Sequence, residues 1–218
     1  MDFSDIENFV SESIDLGKKW ELINILGGEP TLHPDFEKII KHISEKYIFH
    51  YSPNTLLQIV SNGFSVETRT ILEKTKKYSN VFIDHNSFKI NNRIEYFSPF
   101  NDAPTDDENF KNADYSKACW VTSYCGIGLN KFGYYGCSIC GGIDRIANEN
   151  RCGIKHLKDI SIKEFLEHFK KFCCLCGNFK DYDVNHGNFI PRCEKAPLKN
   201  NIVSKSWERL YNISGDKK

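Results

Sequence analysis

All nine cysteines of this 218-residue chain lie in its last hundred residues. They are Cys119, Cys125, Cys137, Cys140, Cys152, Cys173, Cys174, Cys176 and Cys193. The start, Met1-Asp2-Phe3-Ser4-Asp5, is acidic and has no apolar signal core. An odd number of thiols without such a core does not fit a secreted disulfide framework; it fits thiolates used as ligands. Buried free cysteines acting as small hydrophobes account for two or three of roughly this many, not for nine gathered in one half. The chain therefore has to fold a cysteine-free half and a thiol-rich half organised around what the sulfurs bind.

Composition narrows the function classes. Lys+Arg and Asp+Glu are 29 each, so the net charge is zero, and no electrostatic footprint for nucleic acid or an anionic membrane is present. Pairs such as Lys18-Lys19 and Lys170-Lys171 read as solvated helix faces. A 40% hydrophobic content with 16 Phe and 10 Tyr supplies a core. No apolar run approaches the ~18 residues of a membrane span, and the expected location is the cytoplasm.

The first hundred residues alternate helix and strand. Ser4-x-x-Glu7 has the form of a capping box, followed by Ile6, Phe9, Val10 and Ile14 on one helical face. The run Glu21 to Leu26, closed by Gly27-Gly28, reads as a buried strand. Pro34 suits the first turn of the next helix, where its missing N–H costs nothing, and Phe36, Ile39, Ile40 and Ile43 give that helix its spacing. Leu56 to Ser61 is a second strand, stopped by Asn62-Gly63; a helix over about Ser65 to Lys77 and a strand from Val81 to Asp84 follow. This alternation predicts parallel strands with right-handed crossovers. Around Ser98 to Asp107 a stretch rich in Pro, Asp and Asn marks a boundary. Beyond it the spacing predicts one clear helix, capped by Ser161-x-x-Glu164, with Ile162, Phe165, Leu166 and Phe169 as its apolar face.

Two constellations carry chemistry. Gly27-Gly28-Glu29-Pro30 ends the first predicted strand, at the edge where parallel α/β folds bind ligands. Two glycines let a ligand approach the backbone, and Glu29 could accept hydrogen bonds from a cationic amine; the plain alternative is a tight turn with a solvated glutamate. Ser61-Asn62-Gly63 ends the next strand at the same edge, and alone it is an ordinary turn. In the second half, Cys125 and Cys137 bracket a glycine-rich segment that reads as a β-hairpin, and Cys173-x-x-Cys176 follows a helix. Together these make a four-thiolate set. Cys119, Cys140 (which forms a second Cys-x-x-Cys with Cys137) and Cys174 are further candidates, whereas Cys152 and Cys193 lack partners at useful spacing. By spacing alone zinc and iron–sulfur are equal choices. Phe132, Tyr134 and Tyr135 read as an apolar shell around the centre.

The pair Gly27–Pro30 and Ser61–Gly63, separated by one helix opening His33-Pro34, resembles the radical S-adenosylmethionine (radical SAM) superfamily over residues 1–85. That resemblance implies that Gly27, Gly28, Glu29, Pro30, Ser61 and Asn62 border the cofactor S-adenosylmethionine. The cysteine array over about residues 119–180 is similar to SPASM and twitch domains, which hold auxiliary [4Fe–4S] clusters, and this tips the metal toward iron–sulfur with Cys125, Cys137, Cys173 and Cys176 as ligands. The departure is that these 218 residues contain no CxxxCxxC, the loop that holds the radical-generating cluster in the family. The chain resembles a member without its front segment, and SAM cleavage by these residues alone is not expected.

Asp84-His85 at the end of the third strand, and His33, His42, His50, His156, His168 and His186, show no metal-like pattern. No phosphate loop, nucleophile elbow or dinucleotide fingerprint occurs. The expectation is thus an α/β protein: an incomplete (β/α) barrel of radical SAM type at 1–100 and a small cysteine-rich domain at 101–218. By that resemblance it is expected to be an iron–sulfur protein of a family whose intact members carry out radical-based modification of a substrate, here an unknown small molecule or peptide, while this chain is expected to be inactive in SAM cleavage. Neither nucleic acid nor membrane is expected as partner. The alternative is a non-catalytic iron–sulfur or zinc module with a vestigial barrel. A parallel sheet lacking a strand also exposes an edge for self-association.

Overall fold

A computed structural model describes residues 1–84, 101–147, 150–181 and 203–215. His85, His186 and Cys193, and the first part of the expected boundary, lie outside them. The chain forms two compact units, Met1–Ile94 and Glu95–Lys218.

The first unit runs α1 (Phe3–Asp15), β1 (Leu22–Ile25), α2 (Phe36–His42), β2 (Leu56–Val60), α3 (Val66–Glu73) and β3 (Val81–Asp84). The three strands pair in the order β1-β2-β3, all parallel, with Ile23 beside Leu57 and Ile59 beside Ile83. Side chains alternate across a strand, so Ile23, Leu57 and Ile59 point into a core shared with Ile6, Val10, Phe36, Ile40 and Leu72. The opposite face presents Leu22, Leu56 and Phe82 to solvent. The described strands make an open sheet and no closed barrel.

Local chemistry shifts some expected boundaries. The cap of α1 is Asp2, not Ser4: Asp2 and Asp5 satisfy each other's backbone amides, because a carboxylate one turn earlier can reach the free N–H groups. Pro34 lies outside the helix it was expected to open, which starts after Asp35; Pro30 instead opens a 3₁₀ turn, Pro30–Leu32. Beyond His42 the α2 helix widens into a π-helical segment, Ile43–Phe49, whose Tyr47 is fully buried. The Tyr47 hydroxyl donates to the Lys18 carbonyl at 2.7 Å. Over the expected 65–77 helix, Ser65 caps α3 through the Thr68 amide, and the last turn is the 3₁₀ segment Lys74–Lys77.

The second unit contains α4 (Trp120–Cys125), a β4–β5 hairpin (Gly128–Asn130, Gly133–Tyr135), α5 (Ser138–Ala147), α6 (Ile162–Phe172) and α7 (Lys205–Gly215). The hairpin is antiparallel, with Leu129 opposite Tyr134, and Tyr134 also bridges to Ile154. Three helices here were not expected from spacing. Two glycines disguise α5, and α4 is too short for periodicity to register. Helix α7 is held by Trp207, whose ring is fully buried and whose Nε1 donates to the Leu175 carbonyl at 2.7 Å. The Ser206 amide and hydroxyl donate to Asp106 at 2.7 and 2.8 Å.

Helix α6 is capped by Ser161, as its sequence implies: the hydroxyl accepts the Glu164 amide at 3.2 Å. Its buried face is rotated from the expected one. Ile162 is 80% exposed and Leu166 is exposed too, while His168 and Phe172 are buried. The ring that decides this is His168, which is too polar to count in an apolar pattern yet has partners for both nitrogens. Its Nε2 donates to the Cys152 carbonyl at 3.0 Å, and Nδ1 accepts the Gly136 amide at 3.4 Å.

Candidate functional site

At the C-terminal edge of the parallel sheet, Glu29 is engaged rather than solvated. Its Oε1 accepts from the Thr31 amide (3.1 Å), the Thr31 hydroxyl (2.8 Å) and the Ser61 hydroxyl (2.9 Å). Its Oε2 accepts from the Asn62 amide at 2.8 Å and again faces the Ser61 hydroxyl at 3.0 Å. One carboxylate thereby ties the loop after β1 to the loop after β2, a stronger arrangement than neutral bonds would give. The expected residues Glu29, Ser61 and Asn62 are brought together, and Thr31 completes the set without having been expected. Pro30 opens the turn that aims the Thr31 amide at Glu29. Gly27 and Gly28 face open space, with no other atom within 4 Å of where a Cβ would lie. Most acceptor positions of Glu29 are filled by its own chain, so the open backbone at Gly27-Gly28 is what this edge offers a ligand.

The second candidate is a thiol cluster in the other unit. All eight described cysteines are free thiols. Cys137 ends the hairpin segment and directly precedes α5. Its sulfur accepts a hydrogen bond from the Cys140 thiol and also faces the Ile139 and Cys140 amides and the Ser138 hydroxyl. Outweighing burial, these hold its pKa below the usual thiol range. Free N–H groups at a helix start favour a thiolate in this way. Cys140 bonds to both Cys137 and Cys173, which together with burial pushes its thiol far up. Burial likewise raises Cys176, which feels Cys173 and Cys119 nearby. Cys125, half-buried at the end of α4, is raised by burial and by Cys137.

Of the four expected ligands, then, Cys137 and Cys173 share one hydrogen-bonding neighbour, Cys140; Cys176 feels the charge of Cys173 and Cys125 that of Cys137. Cys140 joins the two Cys-x-x-Cys pairs, and its spacing from Cys137 was the sequence signal for it. The donor chemistry suits a thiolate-bound metal. The side chains are arranged as free thiols hydrogen-bonded to one another, and among the described residues no group of three or more His, Cys, Asp or Glu is set around a common centre.

The hairpin supports this cluster through close contact. A Cβ on Gly128 would lie 2.5 Å from the Ser138 Cα, so only glycine lets β4 pass the start of α5. Gly126, at φ 62°, ends α4 in a conformation that side chains disfavour. Tyr135 is fully buried in the same apolar cluster as Cys137, Cys140 and Cys176, with Phe132 packed against it. Its hydroxyl donates to Asp144 at 2.6 Å; burial and that carboxylate both push the phenol pKa up. Asp144 also accepts the Cys152 amide at 2.9 Å. Cys152 sits apart from these thiols, the Lys171 ammonium donating to its sulfur at 2.6 Å, while the Cys174 thiol, its pKa raised by burial and by the neighbouring Cys173, faces the Lys171 carbonyl at 3.3 Å.

Among the described residues no helix is long and apolar enough to cross a membrane. The chain matches no protein-family model, no curated protein and no solved structure.

Proposed function

We propose that the chain is an iron–sulfur protein of radical SAM type, its second unit holding an auxiliary [4Fe–4S] cluster on cysteines drawn from Cys125, Cys137, Cys140, Cys173 and Cys176. The observation carrying this reading is the contact of the Cys140 thiol with both Cys137 and Cys173, which joins two Cys-x-x-Cys pairs from distant segments. Such a cluster supplies one-electron chemistry or an iron position for a substrate atom. The protein's own residues would supply four thiolates, an apolar wall from Tyr135 and Phe172, and helix-start amides that favour Cys137 as a thiolate. In the first unit, the α/β order and the exposed face bearing Leu22, Leu56 and Phe82 are consistent with part of a (β/α) barrel. Gly27-Gly28 and Asn62 border the place for S-adenosylmethionine. In intact relatives the substrate would be an unknown small molecule or peptide, whereas these residues alone are not expected to cleave S-adenosylmethionine; a sheet edge left unpaired would allow self-association.

A second reading has its own support. Glu29 spends its acceptors on Thr31, Ser61 and Asn62, as a structural clasp would in a non-catalytic module with a zinc or iron–sulfur site. Anaerobic purification with iron, sulfide and zinc analysis, an absorption spectrum, and titration with S-adenosylmethionine separates the two. About four irons and four sulfides per chain with a broad band near ~400 nm, together with cofactor binding, supports the first. One zinc without iron, or an iron–sulfur cluster with no S-adenosylmethionine binding, supports the second. No metal in the wild-type protein sinks both. Replacing Cys137 by Ala is expected to abolish metal incorporation.

A further inference from the structure

A cavity of about 420 Å³ lies beside α6, lined by Cys152, His168, Lys171, Lys170, Glu164 and Glu167. Within it the Lys171 Nζ and the Cys152 Sγ stand 2.6 Å apart. Lys170 is directed to Glu167 at 2.8 Å, so the two adjacent lysines have different partners. Both reactive atoms are carried on anchored backbone. The Cys152 amide donates to Asp144 at 2.9 Å, its carbonyl accepts from His168 at 3.0 Å, and Lys171 belongs to α6. Groups held in contact react as though at very high concentration. Cys137, Cys140, Cys173 and Cys176 are buried, whereas Cys152 is half-exposed and open to the cavity. Cys119, Cys125 and Cys174 are also half-exposed, but none of them lines the cavity, and the Cys174 thiol meets a carbonyl in place of an amine.

We propose that Cys152 and Lys171 form a modification site whose co-reactant is a peroxide and whose product is a reversible Sγ–Nζ sulfenamide cross-link. In the first step the Cys152 sulfur attacks one oxygen of hydrogen peroxide. The O–O bond breaks, the sulfur is oxidised by two electrons to a sulfenic acid, and the other oxygen leaves as water. In the second step the Lys171 ammonium first gives a proton to the solvent; the neutral Nζ then attacks that sulfur, the S–O bond breaks, and the hydroxyl leaves as a second water with another proton from nitrogen. The sum is thiol plus amine plus hydrogen peroxide giving sulfenamide plus two waters; a thiol reductant cleaves the S–N bond. The bond would tie the segment before Ile154, which pairs with Tyr134 of the hairpin, to the end of α6, directly ahead of Cys173. It stands independently of any metal at the thiol cluster.

The test uses the full chain, purified anaerobically, treated with one equivalent of hydrogen peroxide, digested without reductant and analysed by peptide mass spectrometry, with dimedone as a parallel trap for sulfenic acid. The expected result is a Cys152–Lys171 joined peptide, two hydrogens lighter than its parts and lost on reduction. Lys171→Arg keeps a cation beside the sulfur but should lose the joined peptide and accumulate the dimedone adduct at Cys152. A wild-type protein that yields only the dimedone adduct, or in which Cys174 is oxidised while Cys152 stays intact, overturns the proposal.

Discussion

Replacing Glu29 by Gln tests whether the Gly27–Pro30 edge is held by the carboxylate. The glutamine carbonyl can still accept from Thr31, but the other oxygen becomes an amide nitrogen facing the Asn62 N–H, which now stands 2.8 Å from an acceptor. Two donors then oppose each other, and the buried Ser61 hydroxyl loses one of its two carboxylate contacts. A hydrogen bond to a charged group contributes roughly 1.5–3 kcal/mol. Water reaches the half-buried Glu29, so the lower part of that range applies, about 2 kcal/mol. For a unit of this size, Met1–Ile94, each kcal/mol moves the melting temperature by about 4–8 °C, so the expected drop is about 8–16 °C. Circular dichroism during heating gives the shift, and amide hydrogen exchange at Asn62 and Thr31 locates it. A variant that melts with the wild type and keeps the Asn62 amide equally protected would refute the clasp.

Three further outcomes are expected. Gly128→Ala should displace the hairpin from α5, since the new methyl meets backbone at Ser138 rather than a movable side chain; a cost above about 2 kcal/mol in urea unfolding is expected, and an unchanged midpoint would contradict the close approach. Lys180 lies with its side chain 5% exposed, 2.7 Å from Asp102 and 2.9 Å from Asp107. Lys180→Ala leaves two carboxylates facing each other and should destabilise the second unit by about 3 kcal/mol in denaturant titration, whereas a loss under about 1 kcal/mol would show that solvent already screens the pair. Burial alone would raise the Asp106 pKa, but the Ser206 amide, the Ser204 and Ser206 hydroxyls and Arg209 hold it below its ordinary value. The stability it contributes is therefore complete above about pH 3.9 and lost as pH falls through the lower folded value. Trp207 fluorescence should report α7 loosening in that acid window, and Asp106→Asn should loosen α7 already at neutral pH; if the variant's acid profile and neutral spectrum match the wild type, Asp106 does not anchor the helix.

The parallel half was largely legible because its signals are local. Apolar runs of four to six residues ended by Gly27-Gly28 and Asn62-Gly63 place β1 and β2, and the spacing of Phe36, Ile39 and Ile40 matches their burial. At α1 two start signals, Asp2-x-x-Asp5 and Ser4-x-x-Glu7, overlap within a few residues, and only geometry decides which side chain reaches the amides. The rotated face of α6 has another cause. A pattern of apolar residues cannot foresee that His168 takes a buried position, where each ring nitrogen finds a partner, while Ile162 is left exposed.

The thiol-rich half shows the same division more sharply. Cysteine position alone determined that sulfur chemistry would be confined to the second half, and Cys-x-x-Cys spacing, which keeps two sulfurs within one turn of chain, determined the pairs. Which pairs meet depends on contacts between residues more than thirty positions apart, and local pattern carries no record of these. The fold decided that Cys140 sits between Cys137 and Cys173, that Glu29 is spent on Thr31, Ser61 and Asn62, and that Cys152 faces Lys171. In each case the deciding quantity is a distance across the chain, set by packing of the whole unit.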